Sequence, residues 1–117
     1  MVFKFEKLKV WEKAVELSGK VYELTESFPK KEQFVLTSQI QRASDSIALN
    51  IAEGSTGQTN PEFKRFLGIA IRSAIEVVCC LYLGRRRKLI SDAQFNEFYD
   101  QLTILIKGIQ ALRNSIE

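Results

Sequence analysis

Four polar side chains recur at helical spacing in the stretch QRASDSIALNIAEGSTG, residues 41–57, and their chemical types could support a reaction. They are Arg42, Ser46, Asn50 and Glu53, and steps of four, four and three residues place them on one face of a helix. A carboxylate, a hydroxyl and a guanidinium on one face are compatible with a catalytic site, a metal site, a partner surface or a structural network. We call these four residues the polar stripe.

The following helix supplies partners for the polar stripe. The two helices should form an antiparallel hairpin around STGQTN, so facing residues have numbers with a constant sum. This rule pairs Glu53 with Arg65, Arg42 with Glu76, and Ser46 with Arg72, and it leaves Asn50 and Ser73 to fill the remaining hydrogen-bonding positions. An arginine opposite each carboxylate would keep that carboxylate ionised and occupied. The pattern therefore favours a structural polar network over a ligand site, and a ligand site over catalysis.

The sequence contains no histidine, which excludes histidine bases, Ser-His-Asp triads and histidine-ligated metals. The di-metal sites of helix bundles need Glu-x-x-His motifs, which this chain cannot form. Cys79 and Cys80 are adjacent, so their side chains point about 100° apart on a helix and two thiols alone do not make a zinc site. We expect them to be small buried apolar residues, and we predict no enzyme activity, no metal and no cofactor.

The composition is that of a soluble globular protein. A length of 117 residues suits one domain, residues 1–117, and 45% of the residues are hydrophobic and 26% charged. No uninterrupted apolar run reaches the roughly 18 residues that a membrane span needs, and the N-terminus lacks the pattern of a signal peptide. We therefore expect a cytoplasmic protein with no membrane partner. A net charge of +3 permits a nucleic-acid partner and does not require one.

Four amphipathic helices are predicted. The first covers about 6–27 and stops before Pro29, the second starts after Lys31 and ends at Gly54, the third covers about 60–88, and the fourth about 91–116. Asn60 is expected to cap the third helix, and Ser91 with Gln94 forms a capping box for the fourth. The fourth helix has a heptad seam that consists of Phe95, Phe98, Leu102, Leu105, Ile109, Leu112 and Ile116.

Short connections make consecutive helices antiparallel neighbours, which predicts an all-α, up-down-up-down antiparallel four-helix bundle. The third helix is apolar on more than one side. In a bundle of this size, a second apolar side indicates contact with another subunit.

The same residues resemble a known bacterial family. FEKLKVWEKAVEL, VYELTESFPKKEQFVLTSQIQRASDSIALNIAEGSTG and EFKRFLGIAIRSAIE are similar to the 23S ribosomal RNA intervening-sequence proteins, also called S23 ribosomal proteins. The resemblance covers about residues 5–112. The motif residues that carry it are Arg42, Ala43, Ser46, Ile47, Asn50, Ile51, Ala52, Glu53, Gly54, Phe66, Leu67, Ser73 and Glu76. This chain has Arg72-Ser73 where the family usually has Gly-Ser.

The resemblance implies a four-helix bundle that often assembles into a ring-shaped homopentamer. Relatives are encoded within intervening sequences of large-subunit ribosomal RNA genes. A related bundle, the accessory variability protein of diversity-generating retroelements, is a basic pentamer that works with a reverse transcriptase and nucleic acid. The resemblance implies no enzymatic activity.

Two functions remain open. The predicted topology brings the first and third connections to the same end of the bundle, where six cations collect: Lys30, Lys31, Arg85, Arg86, Arg87 and Lys88. We call these six residues the basic end. Repeated around a homopentamer, it would bind the phosphates of RNA or DNA without reading their sequence. The alternative is an assembly scaffold or an adaptor for a protein partner, with no nucleic-acid role.

Overall fold

The computed structural model describes residues 2–57 and 59–117, and this part of the chain contains four α-helices and no strand. The helices are α1 (Lys9–Thr25), α2 (Leu36–Ser55), α3 (Asn60–Arg86) and α4 (Asp92–Ser115). Two short 3-10 helices, Lys4–Lys7 and Lys30–Glu32, precede α1 and α2. The molecule measures 43 × 22 × 22 Å, so the helices lie along its long axis. The predicted all-α, up-down-up-down four-helix bundle is confirmed.

The core lies where the four apolar helix faces meet. Its fully buried large side chains include Ile40, Ile47 and Ile51 from α2, Leu67 and Leu81 from α3, and Leu102 and Ile109 from α4. The predicted heptad seam of α4 is buried from Phe95 to Ile109, while Leu112 and Ile116 are half-buried at its end. Contact is most extensive between α2 and α3 and least extensive between α1 and α4. The hairpin of α2 and α3 is therefore the closely packed half of the bundle.

The helix ends agree with the predicted signals at one place and differ at two. At α4, the side chain of Ser91 accepts from the Gln94 backbone N–H and the Gln94 side chain accepts from the Ser91 N–H, which confirms the capping box. At α3, Thr59 and not Asn60 is the N-cap, because its hydroxyl accepts from the Glu62 N–H at 3.2 Å. At α2, Gly54 is not the residue that ends the helix, since it is buried within the last turn.

Gly54 has a packing role instead. A Cβ atom placed on it would lie 2.6 Å from Cβ of Phe66 and 3.1 Å from Cδ1 of Phe63. The absence of a side chain therefore allows α2 to approach α3 closely at the closed end of the hairpin. The left-handed conformation expected of a terminating glycine is found at Lys88, which has a φ of 62° after the end of α3.

The outer face of α3 is apolar and exposed in the single chain. It consists of Ile75, Cys79, Tyr82 and Leu83, and we call it the α3 outer face. By length and composition alone, α3 passes the test for a helix that could cross a membrane, although core helices of soluble proteins pass it as well. It passes because an 18-residue window may include a few charges, whereas the count from sequence required an uninterrupted apolar run. In this fold α3 contacts both α2 and α4.

Candidate functional site

Three residues of the predicted polar network meet between α2 and α3. The hydroxyls of Ser46 and Ser73 lie 2.8 Å apart, and the Asn50 amide donates to the Ser46 carbonyl at 2.8 Å and to its hydroxyl at 2.9 Å. Ser73 is buried, and the other two side chains are half-buried. This group satisfies polar atoms that the close approach of the two helices removes from water.

The predicted ion pairs across the hairpin are not formed. Arg65 instead pairs with Glu62 on its own helix, with 2.8 Å between Nη2 and Oε1. Glu76 accepts a hydrogen bond from the amide of Gln39, one turn before Arg42. In residues 2–57 and 59–117, Arg42 and Glu53 take part in no salt bridge. The charged members of the predicted network (Arg42, Glu53, Arg65, Arg72 and Glu76) are all exposed.

Helix geometry explains the difference. A constant sum of residue numbers gives the height of a residue along the hairpin, but each residue also turns by about 100° around its helix. Ser73 therefore faces Ser46, while Arg72, its neighbour in sequence, lines a groove between α3 and α4. The prediction identified the right level of the bundle for Ser46 and the wrong facing residue.

Asp45 is a polar contact that the sequence did not reveal. Its carboxylate accepts from the Ser18 hydroxyl at 2.6 Å and from the Tyr22 hydroxyl at 3.0 Å, which joins α1 to α2. The hydrogen bond to this carboxylate raises the pKa of Tyr22 above its ordinary value. Ser18 and Tyr22 are four residues apart, and that spacing could have indicated a shared partner on the neighbouring helix.

The basic end brings together connections that are distant in sequence. Arg87 Nη1 lies 3.1 Å from Glu32 Oε1, so the segment before α2 contacts the end of α3. Arg85 is held differently, with its guanidinium carbon 3.8 Å from the ring centre of Phe95 and 5.3 Å from that of Tyr82. Both arginines thus have partners within the fold.

The other four cations of the basic end point into solvent. Lys30, Lys31, Arg86 and Lys88 are exposed and form no salt bridge in the described part of the chain. Lys88 is held at the surface by its left-handed backbone, which ends α3. These four side chains are the cations available to an anionic partner.

The two cysteines have different surroundings. Cys79 is exposed, whereas Cys80 is buried, so the expectation that both are buried is wrong for Cys79. Burial, with a smaller effect of Glu76, raises the pKa of the Cys80 thiol to about 11. The described residues contain no group of three or more histidine, cysteine, aspartate or glutamate side chains that could hold a metal ion.

Two grooves run between neighbouring helices. One, of about 230 Å³, lies between α1 and α4 over Leu17, Ile104 and Leu105. The other, of about 370 Å³, lies between α3 and α4, and three arginines line it: Arg65, Arg72 and Arg113. We call the second groove the arginine groove. Arg113 could not be assigned to it from sequence, because the contact depends on how α4 lies against α3.

Comparison with known proteins adds to this geometry. The family model described as 23S rRNA-intervening sequence protein matches residues 6–111. A similar crystal structure is that of a protein with unknown function from the S23 ribosomal protein family of Bacteroides thetaiotaomicron VPI-5482, with 26% identity and a TM-score of 0.83 over 90% of this chain and 95% of that one. No curated protein matches. The family match covers nearly the whole bundle, and the chain therefore belongs to the 23S rRNA-intervening sequence protein family.

Proposed function

We propose that this protein is a non-enzymatic, cytoplasmic oligomer, most simply a homopentamer, that binds RNA or DNA through its basic end. The observation that carries the proposal is the contact between Arg87 and Glu32. It joins the two cationic segments, so Lys30 and Lys31 share one end of the bundle with Arg86 and Lys88. Four exposed cations at one end form a surface that suits phosphate groups.

Assembly would strengthen this surface. Each chain has a net charge of +3, and a ring of five chains would present five basic ends to one polyanion. Many weak phosphate contacts on one strand then act together, because each further contact is made at a high effective concentration. Binding of this kind depends on backbone phosphates and is independent of sequence.

The test measures the affinity for a single-stranded RNA of 20 nucleotides as a function of salt. In the test variant, Lys30, Lys31, Arg86 and Lys88 are each replaced by Gln, while Arg85 and Arg87 are kept because they contact the fold. We expect binding to weaken strongly, and the slope of log K against log salt to decrease by about 3, since each lost phosphate contact on a single strand removes roughly 0.7.

A matched control removes the same charge elsewhere. Four exposed lysines near or on α1 are replaced by Gln: Lys7, Lys9, Lys13 and Lys20. This variant should keep most of the wild-type affinity and slope. If both variants lose affinity equally, only net charge matters and the basic end is not the binding surface.

The second candidate function is an assembly scaffold or protein adaptor. It is favoured by the exposed apolar side chains on the α3 outer face, because Ile75 is 54% exposed and Tyr82 48% exposed. Large exposed apolar side chains that lie together mark contact surfaces. A protein that assembles through α3, and that binds neither RNA nor DNA at low salt, would have this function.

A further inference from the structure

We propose that the arginine groove between α3 and α4 is a binding site for a phosphate group, separate from the basic end. Arg72 lies 14 residues before Arg86 on the same helix, which corresponds to about 20 Å along its axis. The groove and the basic end therefore cannot hold the same phosphate.

Arg113 is already positioned for such a ligand. Its Nε donates to the Lys64 carbonyl at 3.1 Å, and this bond fixes the half-buried guanidinium against α3. Its Nη groups donate to no other atom in the described residues. A side chain that is fixed before binding loses little entropy when a ligand arrives, so its free donors are preorganised.

Arg72 supplies the second cation. It is exposed, it lines the same groove, and it forms no salt bridge within residues 2–57 and 59–117. Glu76, one turn further along α3, contacts Gln39 of α2. Arg65 is at the edge of the groove and is already paired with Glu62, so the site depends mainly on Arg72 and Arg113.

The lining of the groove indicates the class of ligand. The side chains around it are arginine, glutamine and isoleucine with Gly68, and no carboxylate lines it. Each guanidinium can donate two parallel hydrogen bonds to an oxyanion. A planar carboxylate is satisfied by one such donor pair, whereas a phosphate group has oxygens on several sides and can accept from two guanidiniums.

Gly68 keeps the groove open. A Cβ atom placed on it would lie 3.7 Å from Nη2 of Arg113, which is an ordinary contact. A methionine at this position should therefore leave the backbone in place, keep every charge, and occupy the groove with its long side chain. Gly68→Met separates occupation of this site from loss of net charge.

The first experiment titrates inorganic pyrophosphate into the full-length protein and follows the Nε–H signals of arginine by NMR. We expect saturable shifts for Arg72 and Arg113, little change for Arg42, and loss of saturation in Gly68→Met. Equal, non-saturating shifts for all three arginines would overturn the proposal. Saturable binding that Gly68→Met leaves unchanged would overturn it as well.

The second experiment replaces pyrophosphate with the RNA of 20 nucleotides and distinguishes a nucleic-acid phosphate from a small ligand. The variant combines Arg72→Gln with Arg113→Gln, and the charge-matched control combines Arg42→Gln with Lys107→Gln. If RNA occupies the groove, the variant should lose affinity on the order of tenfold relative to the control.

The two experiments also separate this inference from the proposed function. Saturable pyrophosphate binding without any RNA binding would support the groove as a site for a small phosphate ligand and refute the proposed nucleic-acid role. RNA binding that needs the basic end, with no pyrophosphate response at Arg72 or Arg113, would overturn the groove and leave the proposed function intact.

Discussion

Two glycines within helices of this bundle have opposite surroundings. A Cβ atom on Gly54 would lie 2.6 Å from Cβ of Phe66, an atom that moves only with the backbone of α3. A Cβ atom on Gly19, within α1, would have no neighbour within 4 Å. Glycine is thus required by packing at position 54 and costs helix stability without a packing reason at position 19.

The Gly54→Ala and Gly19→Ala variants test this contrast. We expect Gly54→Ala to lower the free energy of unfolding by about 1–3 kcal/mol, because α2 and α3 must separate. Gly19→Ala should raise it by about 1 kcal/mol, since alanine favours the helix at an open position. Urea denaturation followed by circular dichroism measures both values. A Gly54→Ala protein as stable as Gly19→Ala would show that the hairpin tolerates a wider spacing.

The Cys80 thiol should respond to pH in a characteristic way. Burial raises its pKa to about 11, so the folded state binds the proton more tightly than the unfolded state does. The stability that results is present below the ordinary thiol pKa and is lost as pH rises toward about 11. Below that range, Cys80 is a neutral and unreactive side chain.

The Cys79→Ser variant isolates this thiol for measurement. Iodoacetamide should leave the native variant unlabelled at pH 8 and add one label in urea, as counted by mass spectrometry. In the native protein the labelling rate should keep rising to about pH 11. A rate that levels off near the ordinary thiol pKa would contradict the assigned environment.

At the scale of the helices, α3 ends through the backbone of Lys88. The Leu89 N–H donates to the Gly84 carbonyl at 2.9 Å and the Lys88 N–H to the Arg85 carbonyl at 3.0 Å, which is the Schellman arrangement. It requires a left-handed residue at Lys88, where a side chain is unfavourable by roughly 1–2 kcal/mol.

Lys88→Gly should therefore stabilise the protein by about 1 kcal/mol and raise Tm by about 4 °C. The same change removes one cation from the basic end, so the stabler variant should bind RNA slightly more weakly. Thermal unfolding by calorimetry checks the first effect. An unchanged or lower Tm would show that Lys88 makes a compensating contact through its side chain.

The sequence predicted the helices and their order because apolar periodicity and capping depend on nearby residues. It also predicted the level at which Ser46 meets α3. It failed for Arg42, Glu53 and Arg72, because rotation about the helix axis decides whether a side chain faces a neighbour or solvent. The arginine groove was missed for a related reason, since Arg113 joins Arg72 only through the packing of α4 on α3.

At the scale of the whole molecule, the distribution of apolar surface is uneven. Only 39% of the most apolar window of α3 is buried within the single chain. Ile75, Tyr82 and Leu83 are each more than two-fifths exposed on that helix. A second copy of the chain that packs on the α3 outer face would remove this surface from water, and each large side chain buried there would contribute roughly 1.5–3 kcal/mol.

An Ile75→Glu variant tests whether the α3 outer face holds the oligomer together. Because Ile75 is exposed in the single chain, a charge there should leave the bundle folded, but a charge buried between two subunits is strongly unfavourable. We expect light scattering to find an oligomer for wild type and a much smaller species for Ile75→Glu, with equal helical content by circular dichroism. Val15→Glu on α1, at a similarly exposed position, is the control and should keep the wild-type size. If Ile75→Glu assembles as wild type does, subunits meet through another surface; if wild type is a monomer, the exposed side of α3 needs a different partner.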